Sequence, residues 1–268
     1  MLLSLQLLWL IPLGFFAGGY GVLIGAGGDF VLAPALLLIY RGEAPETVTS
    51  ISLAVVFFNA LSGTFAYARS GRIDFQSGLI LAVATMPGAV AGALATTAMS
   101  RERFNLVFGL LLIAMAIFLA LKPAKENVAA MAHAGLERRA KLKRNLPTLL
   151  AGAAVSTVFG FISSFLGIGG GFLYVPALVY LLRFLVHIAT ATSLFVLTIT
   201  AFTGSVTHVA AGLFHHGISR TIALSIGAIL GAQVAARLSH HIRDDWIIRS
   251  LAVALGLVGL RLVGGILR

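Results

Sequence analysis

Two short stretches carry the residues most able to do chemistry. GAGGDFVLAP runs from Gly25 to Pro34, and GIGGGFLYVP runs from Gly167 to Pro176. Both lie inside long apolar segments, where a run of glycines ending in proline breaks a helix. In hydrocarbon each freed backbone N–H or C=O costs several kcal/mol, so such a break is tolerated only where protein or a polar cavity satisfies it. The residues after each break, from Phe30 and from Phe172, are expected to begin a half-length helix. A helix start offers unpaired N–H groups and about half a positive charge. Glycine lets a ligand approach the backbone closely. Gly27, Gly28, Gly169, Gly170 and Gly171 are therefore candidates to bind an anion without lysine or arginine.

Hydroxyls recur at a matching distance: Thr47, Thr49, Ser50 and Ser52 in one copy, Thr190, Thr192 and Ser193 in the other. Thr49, Ser50, Thr192 and Ser193 are the candidate oxyanion donors, with back-bonding to their own helix as the competing reading. Asn59 joins them as a polar residue at depth. Asn59, Gln233 and His208 are otherwise read as packing hydrogen bonds, and Arg237 as a snorkelling side chain.

Asp29 stands where the second copy has Gly171, and it alone of nine acidic residues falls deep in an apolar stretch. Its bland role is to cap the half-helix. An intramembrane carboxylate is also a functional candidate. Burial favours the neutral form of a carboxylate and a helix start favours the ionised form, so Asp29 is the candidate proton-coupling residue. On this reading one half binds the anion and the other takes a proton.

The rest of the chain must hold these breaks in a membrane. Of 268 residues, 59% are hydrophobic and 10% charged, with a mean hydropathy of +1.01, against about 25% charged in an ordinary soluble domain. Apolar runs of the ~20 residues needed to cross ~30 Å of hydrocarbon are placed at 5–24, 47–68, 75–98, 103–121, 148–166, 188–210, 218–238 and 246–266. Shorter pieces at 30–40 and 172–183 follow the glycine runs. The fold expected is an all-α polytopic membrane protein of about eight spans in two four-span repeats, 1–121 and 148–268. Seven of the 19 Lys and Arg residues lie in the linker 122–147, which positive-inside assigns to the cytoplasm. The net charge of +10 sits in loops of this kind, so nucleic acid is not expected as a partner. There is no cysteine, and no metal or cofactor is expected.

The halves align at nearly constant spacing. Gly25 and Pro34 stand 142 residues before Gly167 and Pro176, TSISL at 49–53 matches TATSL at 190–194, and GAVAG at 88–92 matches GAILG at 227–231. Internal repeats with interrupted helices at corresponding places are the usual sign of a secondary transporter. The threading, parallel or inverted, stays open at this point. GAVAG and GAILG are read as close helix packing. Protease readings fail: AGGD at 26–29 has no second membrane aspartate, and FISSFLG at 161–167 lacks the G-x-S-G of a rhomboid-like enzyme. An anion channel using the same helix ends is the alternative to a carrier.

These motifs, together with the SGRIDF turn at 70–75, resemble those of the sulfite exporter TauE/SafE family, over nearly the whole chain and in the right order. The resemblance implies a bacterial or archaeal cytoplasmic-membrane protein that moves small, mainly sulfur-containing anions such as sulfite, thiosulfate and sulfoacetate. The second copy follows the family pattern, and the first departs from it at Asp29, where glycine is usual. The partners expected are a small anion and the bilayer, with a homodimer left open.

Overall fold

The computed structural model describes residues 8–25, 27–40, 42–121, 146–181, 184–213, 217–238 and 244–264. All regular structure among them is helical: α1 Leu10–Ile24, α2 Asp29–Ile39, α3 Pro45–Arg69, α4 Phe75–Thr96, α5 Arg101–Leu121, α6 Leu146–Leu166, α7 Gly171–Pro176, α8 Val186–Ala210, α9 Ile218–Leu238 and α10 Asp244–Gly264. The basic stretch 122–145 lies outside the described residues. Among the described residues five helices, α3, α4, α5, α8 and α9, are long and apolar enough to cross a membrane; α1 and the stretches Gly152–Leu166 of α6 and Ala252–Gly264 of α10 are apolar too.

Local chemistry sets the boundaries. Pro45 opens α3, where its missing N–H is one of the orphans in any case, and Glu46 and Arg69 complement the dipole at the two ends. Asp74 caps α4: its carboxylate accepts from Ser77 N at 3.4 Å and from Ser77 Oγ at 2.8 Å. α1 stops at Gly25, which takes the left-handed conformation at φ 76° and donates to Gly21 and Val22 carbonyls.

The outer surface is apolar and much of the polar inventory is inside. Leu79, Val83, Met86, Val90 and Leu94 form an exposed stripe on α4, and Ile218, Ile222, Ile226, Leu230, Val234 and Leu238 form one on α9. Thr49, Ser52, Asn59, Ser163, Ser164, Thr192, Ser193 and His208 are meanwhile buried. Apolar out and polar in is the arrangement for a hydrocarbon solvent.

Helix pairing repeats under exchange of the sequence halves. α1 packs on α9 as α6 packs on α4; α3 meets α9 as α8 meets α4; α5 meets α10, and α3 meets α8. Small residues make the closest approaches. A methyl group on Gly88 or Gly92 of α4 would meet Thr157 or Phe161 backbone oxygen of α6 at 1.8 or 2.2 Å, and one on Gly227 or Gly231 of α9 would meet Ile11 or Phe15 oxygen of α1 at 2.0 or 2.1 Å. The GAVAG and GAILG segments thus serve helix contact.

The long helices α3 and α8 run antiparallel. A methyl on Gly204 would meet Leu53 Cδ1 at 3.0 Å and one on Gly63 would meet Leu194 Cδ1 at 3.2 Å, so residue numbers rise along one helix as they fall along the other.

The second half-helix differs from expectation. A helix over 172–183 is anticipated, whereas α7 ends at Pro176 and runs into a π-turn, Ala177–Leu181. A proline removes an N–H and displaces the preceding carbonyls, which favours a wider turn. Pro34 holds the matching place in α2 without that effect, so proline alone does not decide it.

Candidate functional site

Each break is built from three left-handed glycines at matching places. Gly25, Gly27 and Gly28 have φ of 76°, 80° and 82°; Gly167, Gly169 and Gly170 have φ of 69°, 70° and 79°. Such a conformation costs an L-residue with a side chain about 1–2 kcal/mol each, so glycine is required at all six. Gly28 and Gly170 are the N-cap residues of α2 and α7. This corrects one expectation: Asp29 is not the cap but the first helical residue of α2, as Gly171 is of α7. The reason is geometric. The left-handed turn continues through Gly28, and the chain enters α space only at residue 29.

The breaks lie near mid-span. Asn59, which touches the first, stands 14 residues beyond Pro45, or ~21 Å up α3 at 1.5 Å per residue. Each break is also seated on the opposite half. A methyl on Gly25 would meet Thr190 Cα at 2.7 Å and Ser193 Oγ at 2.9 Å of α8, and one on Gly167 would meet Thr49 Cα and Cβ at 2.7 Å of α3.

The predicted hydroxyls divide by role. Thr49 Oγ1 donates to Glu46 O at 3.1 Å and Ser50 Oγ to Thr47 O at 2.8 Å, both within α3. Back-bonding thus occupies them, although Thr49 still floors the second break. Thr192 Oγ1 accepts from Asp74 N at 3.1 Å and so ties α8 to the start of α4. Ser193 Oγ donates to Gly25 O at 2.7 Å, directly at the first break. Asn59 Nδ2 donates to Gly27 O at 2.6 Å and more weakly to Gly18 O at 3.4 Å, while its Oδ1 is buried without a partner. Gln233 donates to Ser62 O and Ser62 Oγ at 3.0 and 2.8 Å, bonding α9 to α3 away from the breaks. Of the candidates, then, Asn59, Ser193, Gly27 and Gly28 meet at the first break, and Thr49, Gly169, Gly170 and Gly171 stand at the second.

The far end of α2 is held by cations. Arg101 NH1 donates to Tyr40 O at 3.3 Å and to Glu43 O, and Arg101 NH2 to Leu37 O. Positive charge at a helix C-terminus opposes the dipole's negative end. Arg220 NH1 pairs with Glu43 Oε1 at 2.9 Å and its guanidinium lies 4.0 Å above the Tyr40 ring. Neither arginine was singled out from sequence. A basic residue at the first position of a long apolar helix, as Arg101 is, was the available signal.

Ser163 and Ser164 were read from sequence only as failing a protease motif. Both are fully buried, and their hydroxyls have no partner. Their counterparts 142 residues earlier are Gly21 and Val22, a difference visible in the repeat alignment itself. His208, expected to make a packing hydrogen bond, is buried with neither ring nitrogen partnered.

Comparison with known proteins bears on what such breaks serve. Residues 10–262 match the model of a family described as sulfite exporter TauE/SafE. The chain is 32% identical over 265 residues to a probable membrane transporter protein, YunE, of Bacillus subtilis, covering 95% of this chain and 96% of that one. A probable membrane transporter protein of Methanocaldococcus jannaschii is 28% identical over 274 residues, with 96% and 97% covered. One from a Sinorhizobium species is 27% identical, with 96% and 94% covered. No solved structure matches the chain.

Proposed function

Because the chain belongs to the sulfite exporter TauE/SafE family, we propose that it is a secondary transporter of small sulfur-containing oxyanions or organosulfonates. The observation that carries this reading is the pair of matched left-handed glycine triplets, each interrupting an apolar helix and opening a new one. Nothing in helix packing requires such a turn. A transport site at mid-membrane does, because backbone N–H groups then face an anion that needs no cationic side chain. The antiparallel α3 and α8 support an inverted repeat, residues 1–121 against 148–268, with 122–147 as the cytoplasmic linker; inversion needs an odd number of crossings in each half, so the half-helix after each break changes the count from the four spans per half that hydropathy suggests. Inverted halves rocking about a fixed central site give alternating access.

Asp29 is the proposed coupling residue. It begins α2 directly after the glycine turn, where the second copy has the uncharged Gly171. A carboxylate there repels an anion when ionised and tolerates it when neutral, so proton and anion binding are linked.

The test is thermal stabilisation of the detergent-solubilised protein by sulfite, thiosulfate, sulfoacetate, sulfate and acetate. A ligand at 100 times its Kd that binds only the folded state stabilises by about 2.7 kcal/mol. Stabilisation by the sulfur oxyanions and not by acetate is expected. No response to any of the five removes the reading.

A further inference from the structure

The second half contains a group of buried polar side chains that the first half has replaced or satisfied. Ser163, Ser164 and His208 each have zero exposure, and Ser163 Oγ, Ser164 Oγ, His208 Nδ1 and His208 Nε2 all lack a hydrogen-bond partner. Ser205 Oγ, three residues before His208, lacks one as well. Buried polar groups are nearly always paired, so several orphans together call for a missing partner.

Ser163 stands beside the second break, and Ser164, the next residue of α6, stands against α8 at Gly204. A methyl on Gly170 would meet Ser163 Oγ at 2.9 Å, and one on Gly204 would meet Ser164 Oγ at 2.8 Å. His208 lies one turn beyond Gly204 on the same face of α8. The first half shows what that arrangement becomes when closed. There Gly63 packs on Val22, with Val22 Cγ2 3.0 Å from its methyl position, and Tyr67, one turn beyond, donates to Val22 O at 3.3 Å. Thr64, the counterpart of Ser205, bonds Thr198 Oγ1 at 3.2 Å. Val22 and Tyr67 stand 142 and 141 residues before Ser164 and His208. One half thus fills this place with an apolar side chain and a satisfied phenol, and the other with hydroxyls and an imidazole that have nothing to bond.

We propose that Ser163, Ser164 and His208 form an oxyanion subsite of the second half, in which two hydroxyls and one imidazole N–H donate to the oxygens of the transported anion. Neutral donors suit the purpose: they replace water around an anion without holding it as an arginine would. The three groups are shut off from both sides in this conformation, and the anion reaches them when the halves rock. The inference rests on the anion-transport reading.

The test copies the first half's solution into the second. In Ser164→Val/His208→Tyr, the purified full-length protein should keep its unliganded Tm. It should lose the thermal shift given by sulfite and thiosulfate, and raise the KM for uptake into proteoliposomes at least tenfold. Tyr67→Phe should leave shift and KM as in the wild type. Should the double variant not fold, Ser163→Ala and Ser164→Ala each remove one hydroxyl without adding volume and should raise KM at least threefold. Wild-type shift and KM in the folded variants would overturn the subsite and leave transport standing. Absence of any shift or uptake in the wild type would overturn both.

Discussion

The two breaks share a backbone and differ in what holds it. At the first, Asn59 clamps the Gly27 carbonyl at 2.6 Å and Ser193 the Gly25 carbonyl at 2.7 Å. At the second, Ser52, the counterpart of Ser193, makes no bond, and Thr200, the counterpart of Asn59, pairs instead with Thr85 Oγ1 at 2.9 Å. The first break carries Asp29 and the second Gly171; the first keeps one orphan, Asn59 Oδ1, beside its two clamps, and the second has Ser52 Oγ and Ser163 Oγ without partners. Matched folds need not do matched work. A clamped turn with a carboxylate suits a site that titrates in place, and an unclamped turn among free donors suits one that takes up and releases a ligand.

The sharpest way to break the comparison is at Gly21. A methyl there would meet Gly28 N at 1.7 Å, although the second half carries Ser163 at the same place. Gly21→Ser should therefore disrupt the first break and leave little folded protein by size-exclusion chromatography. The reverse change, Ser163→Gly, should fold. Good yield of monodisperse Gly21→Ser would show that the two turns are not as different as described.

Gly170→Leu comes next. Its φ of 79° and the Ser163 side chain 2.7 Å from the methyl position leave no room. Insertion in the membrane should persist while uptake falls below a tenth of wild type. Asn59→Ala removes a buried donor from Gly27 O and should cost about 2 kcal/mol in urea or thermal unfolding. The equivalent Thr200→Ala should cost less than half as much, because only hydroxyl bonds are lost; equal costs would erase the clamp distinction. Asp29→Asn should fold within a few tenths of a kcal/mol of wild type, because the residue is the first of the helix and not its cap. It should bind anion and lose the dependence of transport on a pH gradient. The smallest effect is expected from Glu43→Gln. It breaks a part-exposed pair with Arg220 worth about 0.2–1 kcal/mol, and salt should reduce the difference further.

The glycine breaks, the first half-helix and every long helix were legible in the sequence because glycine runs and 20-residue apolar stretches carry local signals, whereas the π-turn that ends the second half-helix was not. Thr49 and Ser50 were legible as hydroxyls near a break but not as groups already occupied, since back-bonding depends on rotamer and not on spacing. Threading direction was not legible: hydropathy is the same up or down a helix, and only contacts such as Leu53 with Gly204 reveal it. The difference between the breaks was half visible. Asp29 against Gly171 stands out as a charge, whereas Ser163 and Ser164 against Gly21 and Val22 pass as small residues until their lack of partners is seen.

The central claim is that the glycine breaks form a carrier site for a small sulfur oxyanion. It is tested most directly by uptake of radiolabelled sulfite into proteoliposomes preloaded with unlabelled sulfite, wild type beside Gly170→Leu. The account predicts saturable uptake accelerated by internal sulfite in the wild type and none above empty vesicles in the variant. Uptake that never saturates would point to a channel. Equal uptake by Gly170→Leu, or none by the wild type, would contradict the claim.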